Sequence, residues 1–227
     1  MIELIDVTKK YSDGVVALDE VTLKIEPREF VFIVGASGVG KSTLLKLVVR
    51  EDNPTKGKVI VDGEDVSILK DSLIPNLRRK VGFVFQDFRL LNNKSVFDNV
   101  ALALEVVDIS DKEINKRVPE ILEKVGLEKK IKNYPKELSG GEKQRLAIAR
   151  ALVHEPKIIL ADEPTGMIDP ISSWEVIKLL EKVNSWGSTV VMATHDTSIV
   201  DSLKKRVIEL RDGKVFRDEK RGRYVKC

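Results

Sequence analysis

The chain has 227 residues, 42% of them hydrophobic and 5% aromatic, which is enough to bury an aliphatic core and excludes wholesale disorder. Lys and Arg number 39 against 36 Asp and Glu, and the net charge of +3 is too balanced to imply a nucleic-acid partner by itself. No apolar run approaches the roughly 18 residues of a transmembrane helix, Met1 opens no signal peptide, and the lone cysteine, Cys227, allows no internal disulfide and fits a reducing compartment.

The opening stretch reads as strands at 2–7, 15–25 and 57–61, joined by turns such as Ser12-Asp13-Gly14 and Asp62-Gly63. They predict an antiparallel layer beside a main sheet. Short β-branched runs at 30–34, 81–85, 157–161, 189–193 and 206–210 alternate with helical patterns at 41–49, 171–185 and 197–203. That alternation predicts an α/β fold with a parallel sheet covered by helices. Between Asp87 and Ser139 the strand signal disappears. Residues 96–106 and 112–125 carry helical apolar spacing, with Pro119 marking a first turn or a kink, so this segment predicts a helical lobe. A further helix is expected at 143–153. From Ser202 to Cys227 there are ten Lys or Arg against four Asp or Glu, with no periodicity past Phe216. This end is expected to be solvated and partly mobile, with attraction to an anionic membrane leaflet as the alternative.

Gly35-Ala36-Ser37-Gly38-Val39-Gly40-Lys41-Ser42 fits G-x-x-x-x-G-K-[ST], with an apolar strand before it and a helix after. The glycines let successive backbone N–H groups turn inward around phosphate oxygens, and the helix N-terminus adds positive potential. Lys41 can reach the β and γ phosphates, and the Ser42 hydroxyl suits Mg²⁺. Residues 158–163 form a buried strand that ends in Asp162 and Glu163. Beside the phosphate loop, Asp162 belongs to the Mg²⁺ shell and Glu163 can polarise an attacking water as general base. A third string, Leu138-Ser139-Gly140-Gly141-Glu142, precedes a helix and exposes unpaired N–H groups, a second anion site. One nucleotide cannot easily use two distant helix ends of one small chain, and a site shared by two subunits resolves this. His195 follows the apolar run at 190–193 at a strand end facing the phosphate site, a buried structural histidine being the bland alternative. His154 lies after a helix, where it is expected to interact with the dipole.

These motifs together resemble the ATP-binding-cassette family over nearly the whole chain, in the family's order and approximate spacing. The resemblance implies one domain, 1–227. Its P-loop NTPase core and antiparallel β layer would span 1–86 and 140–227, with an inserted helical subdomain at 87–139. It implies ATP and Mg²⁺ as cofactors and hydrolysis of ATP to ADP and phosphate. Gly35, Ala36, Ser37, Gly38, Val39, Gly40, Lys41, Ser42 and Thr43 would hold the phosphates. Tyr11 looks like the aromatic that stacks on adenine, His195 like the switch histidine and Asp169 like the D-loop aspartate. Gln86 looks like the Q-loop glutamine, touching Mg²⁺ and the γ-phosphate side at the junction with the helical lobe. Ser139, Gly140 and Gly141 would contact ATP held by the opposite subunit. The implied catalytic set is thus Lys41, Gln86, Glu163 and His195, and the metal set Ser42, Gln86 and Asp162.

Glu142 departs from the Gln of many relatives, and Met167-Ile168 stands where relatives often have Asn-Leu. Residues 42–47, 78–91, 95–101 and 192–196 look most like the cell-division branch of the family. That likeness implies an integral membrane partner, a homodimer formed on ATP binding, and a peripheral position on the cytoplasmic side of a bacterial inner membrane. Residues 161–166 are equally similar to lipoprotein-release and macrolide-export cassettes, the alternative reading. A cassette acting on DNA or ribosomes would carry an inserted coiled coil, a zinc motif or two cassettes, and this chain has one motif set.

Overall fold

A computed structural model describes residues 1–224. In chain order the first half contains β1 (Ile2–Lys10), β2 (Val16–Ile25), β3 (Phe30–Val34), α1 (Lys41–Val48), β4 (Lys56–Val61), β5 (Glu64–Asp65), α2 (Ile74–Arg79), β6 (Val81–Val84), α3 (Val96–Glu105) and α4 (Asp111–Lys124). The second half contains α5 (Gly140–Leu152), β7 (Ile158–Asp162), α6 (Pro170–Ser185), β8 (Thr189–Thr194), α7 (Thr197–Leu203), β9 (Arg206–Arg211) and β10 (Lys214–Glu219).

The strands form two sheets, as the two patterns predict. One is antiparallel, in the order β2-β1-β4-β5; the other runs β10-β9-β3-β8-β7-β6, parallel except for β10. β3 and β8 are buried along their whole length, which is why they read as unbroken apolar runs rather than as alternating ones. Their side chains nevertheless alternate between two cores, because successive residues of a strand point to opposite faces. Val31, Ile33, Val191 and Ala193 face α1 and the antiparallel layer, whereas Phe30, Phe32, Val190 and Met192 face the helices on the other side. α1 is therefore enclosed between the sheets, with Leu44, Leu45, Leu47 and Val48 buried.

The segment without strands is helical, as expected. Ser95 and Ser110 cap α3 and α4, each accepting from a backbone N–H in the first turn. Val100, Leu104, Ile114, Val118 and Leu122 join them to α5 through Leu146. Pro119 lies inside α4 rather than in its first turn. α5 starts at Gly140, three residues before the expected boundary, because Ser139 and Glu142 close a reciprocal cap there.

The C-terminal expectation needs correction. The chain past Phe216 is not simply a solvated end: β10 pairs with β9 as far as Glu219, and Tyr224 is buried in the core. The cause is a two-residue Asp212-Gly213 connection, a strong hairpin signal that the local charge obscured. Cys227 lies outside the described residues.

Candidate functional site

Parallel strands converge on a crevice at their C-terminal ends, where open α/β sheets place ligands. β3 delivers residues 35–40, β7 delivers Glu163 and β8 delivers His195, all in register along one edge. Gly40 is the N-cap of α1 at φ 110, and a Cβ there would lie 2.2 Å from the Ala17 carbonyl oxygen. Only glycine allows both the left-handed turn and this close approach. A cavity of about 800 Å³ lies against the loop and is lined by residues 35–43, Gln86, Glu163 and His195.

Lys41 is buried and folds back over its own loop. Its Nζ donates to the carbonyls of Gly35 at 2.9 Å and Ala36 at 3.0 Å, and lies 3.7 Å from Glu163 Oε1. The same carboxylate oxygen is 2.9 Å from His195 Nδ1, so Glu163 stands between a cation and an imidazole. Its backbone is left-handed, with φ 46, a conformation that a non-glycine residue keeps only when its surroundings enforce it. The Ser42 hydroxyl donates to Asp162 Oδ1 at 2.9 Å. Burial pushes the Asp162 carboxyl above its ordinary range, and the neighbouring charge of Glu163 adds to the shift, while the Ser42 hydroxyl opposes it. A buried carboxylate paired with a hydroxyl and crowded by a second carboxylate is a donor set that a divalent cation relieves, so these residues fit Mg²⁺.

Gln86 lines the cavity from the end of β6, and its amide packs on Gly166, whose added Cβ would lie 3.2 Å from Nε2. The chain then passes through two left-handed residues, Phe88 and Arg89. Arg150 on α5 donates to both of their carbonyls, at 2.8 and 2.6 Å. Tyr11 does not line the cavity. Its hydroxyl lies 3.2 Å from Thr43 Oγ1 and donates to Asp52 at 2.9 Å, which leaves it one residue removed from the phosphate loop.

Ser139, Gly140 and Gly141 are not in the cavity either. Gly140 packs on Ile168 and Gly141 on Ser172, so the start of α5 abuts the start of α6, which Asp169 caps. His154 follows the end of α5, and burial lowers its pKa. The sequence reading missed Glu209, Leu210, Arg211, Asp212 and Tyr224, which also line the cavity. For the first four, the Asp212-Gly213 turn was the available signal; for Tyr224 there was none.

A strand–glycine loop–helix cradle facing a paired carboxylate, in this two-sheet architecture, defines a nucleotide-binding cassette. The chain belongs to the ATP-binding-cassette family: a family model described as ABC transporter matches residues 18–166. It is 51% identical to the cell division ATP-binding protein FtsE of Bacillus subtilis, over 99% of this chain and 98% of the relative. It is 52% identical to the FtsE of Mycobacterium tuberculosis over the same shares, and 46% identical to that of Escherichia coli over 94% and 96%. Among solved structures it is similar to an ATP-binding cassette in a dimeric post-hydrolysis state bound to ADP and Pi, at TM-score 0.89 and 41% identity, covering 99% of this chain and 100% of that one. It is also similar to cbiO1 from Clostridium perfringens, part of an ABC transporter complex, at TM-score 0.88 and 34% identity, covering 96% and 88%.

Proposed function

We propose that this chain is the ATP-binding and ATP-hydrolysing subunit of a cell-division complex of the FtsE–FtsX type. It acts as an ATP-driven dimer clamp that signals through an FtsX-like integral membrane protein to wall remodelling. The observation that carries the hydrolytic reading is the arrangement of Lys41, Glu163 and His195 over the phosphate loop. The division role rests on the full-length similarity to FtsE proteins.

Backbone N–H groups of residues 36–43 hold the phosphates, and Lys41 exchanges its carbonyl partners for phosphate oxygens. Ser42, Asp162 and Gln86 would hold Mg²⁺, which would supply neutralising charge to the phosphate oxygens. Glu163 accepts the proton of a water that attacks the γ-phosphorus, in line with the departing ADP oxygen. His195 orients that carboxylate and supports the developing charge. Tyr11, outside the cavity but against Thr43 at the end of the phosphate loop, is the side chain offered to the adenine. A second copy docked head to tail supplies Ser139, Gly140 and Gly141 from across the interface, with Asp169 beside them, which accounts for their position outside the cavity of their own chain.

Residues 87–139 work as a helical subdomain on a core of 1–86 and 140–227, with Gln86 at the junction. An apolar groove of about 290 Å³ between α2 and α3 supports a partner there; it is lined by Pro75, Arg78, Arg79, Ala103, Val106 and Val107, together with His154. Val106 is 66% exposed. Among the described residues no helix is long and apolar enough to cross a membrane.

Glu163→Gln is expected to keep ATP binding and accumulate an ATP-held dimer, measured by size-exclusion chromatography with light scattering. A strictly monomeric variant at saturating MgATP contradicts the clamp. The same protein, tagged and incubated with MgATP and detergent-solubilised native membranes, is expected to retain a membrane protein of the FtsX type. Recovery of lipoprotein-release or efflux components would instead assign the chain to an exporter.

A further inference from the structure

The last described residues of the chain return to the phosphate cavity. After β10 the backbone turns across the start of β9, where the Gly222 N–H donates to the Lys205 carbonyl at 3.2 Å. A Cβ on Gly222 would lie 2.7 Å from that of Val207, so the crossing is closely packed. Two residues later the Tyr224 N–H donates to Asp201 Oδ1 at 2.8 Å. Tyr224 itself is only 8% exposed, shares a core with Ile199, Val200 and Val207, and lines the cavity that holds Lys41, Glu163 and His195.

Asp201 belongs to α7, which begins two residues after His195. This helix has seven residues, too few to hold a fixed position by its own propensity, so its placement depends on the packing of Ile199 and Val200 in the core and on tethers along its length. At its start Asp196 accepts from the N–H groups of Ser198 and Ile199. Further along, the tether is the Tyr224 backbone. A second line of contacts runs from the cavity wall to the same segment: Glu209, buried in that wall, lies 3.0 Å from Arg217, and Arg217 donates to the Arg223 carbonyl at 2.6 Å.

We propose that residues 220–224 form a strap that holds α7, and through it His195, at the phosphate site, with Tyr224 as a positioning residue and the Glu209–Arg217 pair as its anchor. This inference rests on the reading of the cavity as the ATP-hydrolysis site. The phosphate donors of residues 36–43 do not pass through the strap, so its loss slows hydrolysis while nucleotide stays bound.

The test uses the full chain with Tyr224→Ala, Tyr224→Phe, Asp201→Ala and the Tyr224→Ala/Asp201→Ala double variant. Phosphate release gives kcat, and competition with a fluorescent ATP analogue gives the ATP dissociation constant. Tyr224→Ala and Asp201→Ala should each lower kcat about fivefold and leave the dissociation constant within about twofold, the signature of an interaction used in the chemical step rather than in binding. Tyr224→Phe, which restores the buried ring that Tyr224→Ala removes, should recover most of the loss. The double variant should fall no further than about twofold below either single one, because the Tyr224 ring and the Asp201 carboxylate hold the same segment against α7 and losing either already frees it. Three results overturn the strap: a folded Tyr224→Ala protein with kcat near that of the wild type, kcat and affinity falling together with the melting temperature, or fully multiplicative losses in the double variant. A wild-type protein that neither binds nor hydrolyses ATP overturns the reading of the cavity itself.

Discussion

Glu142 closes a cap on the helix that starts with Gly140 and Gly141. Its carboxylate accepts from the Ser139 N–H at 2.8 Å, while the Ser139 hydroxyl accepts from the Glu142 N–H. That backbone bond holds the Glu142 carboxyl below its ordinary range against the opposing effect of burial, with Lys130 assisting. A depressed folded value means that protons prefer the unfolded chain. The contribution is therefore complete above the unfolded value and is lost as pH falls through the folded one. Glu142→Gln keeps an acceptor for Ser139 and removes the charge, so it should cost about 0.5–1 kcal/mol at neutral pH. The gap to wild type should close on acidification, checked by melting both proteins at neutral and acid pH. At this scale the sequence is most readable where the chemistry needs a continuous string, as in residues 35–42. It is least readable where a residue reaches the site through the fold. Tyr224 lies 183 positions from Lys41 and nothing near it in sequence concerns phosphate.

Among the elements, α3 depends on one buried amide. The Asn99 Nδ2 group donates to the carbonyls of Leu91, Lys94 and Ser95 at 3.1, 3.1 and 2.9 Å, and Oδ1 accepts from the Leu91 N–H at 2.8 Å. Asn99 thereby ties the segment that follows Gln86 to α3 within the helical lobe. Asn99→Ala leaves four backbone groups without this partner and should destabilise the protein by about 2–4 kcal/mol, read as a lower urea midpoint with unchanged slope. The parallel strands were evident from their apolar runs, because burial on both faces leaves an unbroken signal. The β9–β10 hairpin was not. Phe216 is exposed and Arg211 stacks on its ring at 3.7 Å, so β10 carries its contacts on charged side chains that read as a solvated tail.

The whole molecule presents only half of the proposed site. Gly141 has no room for a side chain, since its Cβ would lie 2.6 Å from Ser172 Cβ, and α5 and α6 meet there without a gap. Alanine is the better helix former, so Gly141→Ala does not weaken α5 by propensity and instead pushes the two helix starts apart. The expected result is ATP affinity within about twofold of wild type for the single chain, together with loss of the dimer trapped by Glu163→Gln when the two changes are combined. Light scattering at saturating MgATP checks it, and a persistent dimer would separate the 139–141 string from the subunit interface.

β10 also decides what the main sheet can do to its neighbours. An open sheet ends in unpaired backbone groups that can recruit another sheet, and natural proteins blunt such borders with charge and irregular register. β10 carries Lys214, Arg217, Asp218 and Glu219 and slips register against β9 between Val215 and Arg217. At the opposite border β6 has only four residues, and the antiparallel layer ends in β2, which shifts register against β1 three times, and in the two-residue β5. None of these borders offers a long straight template. Among the described residues the sheet borders thus resist edge-to-edge pairing, so copies crowded at one place are protected against joining sheet to sheet into a fibre.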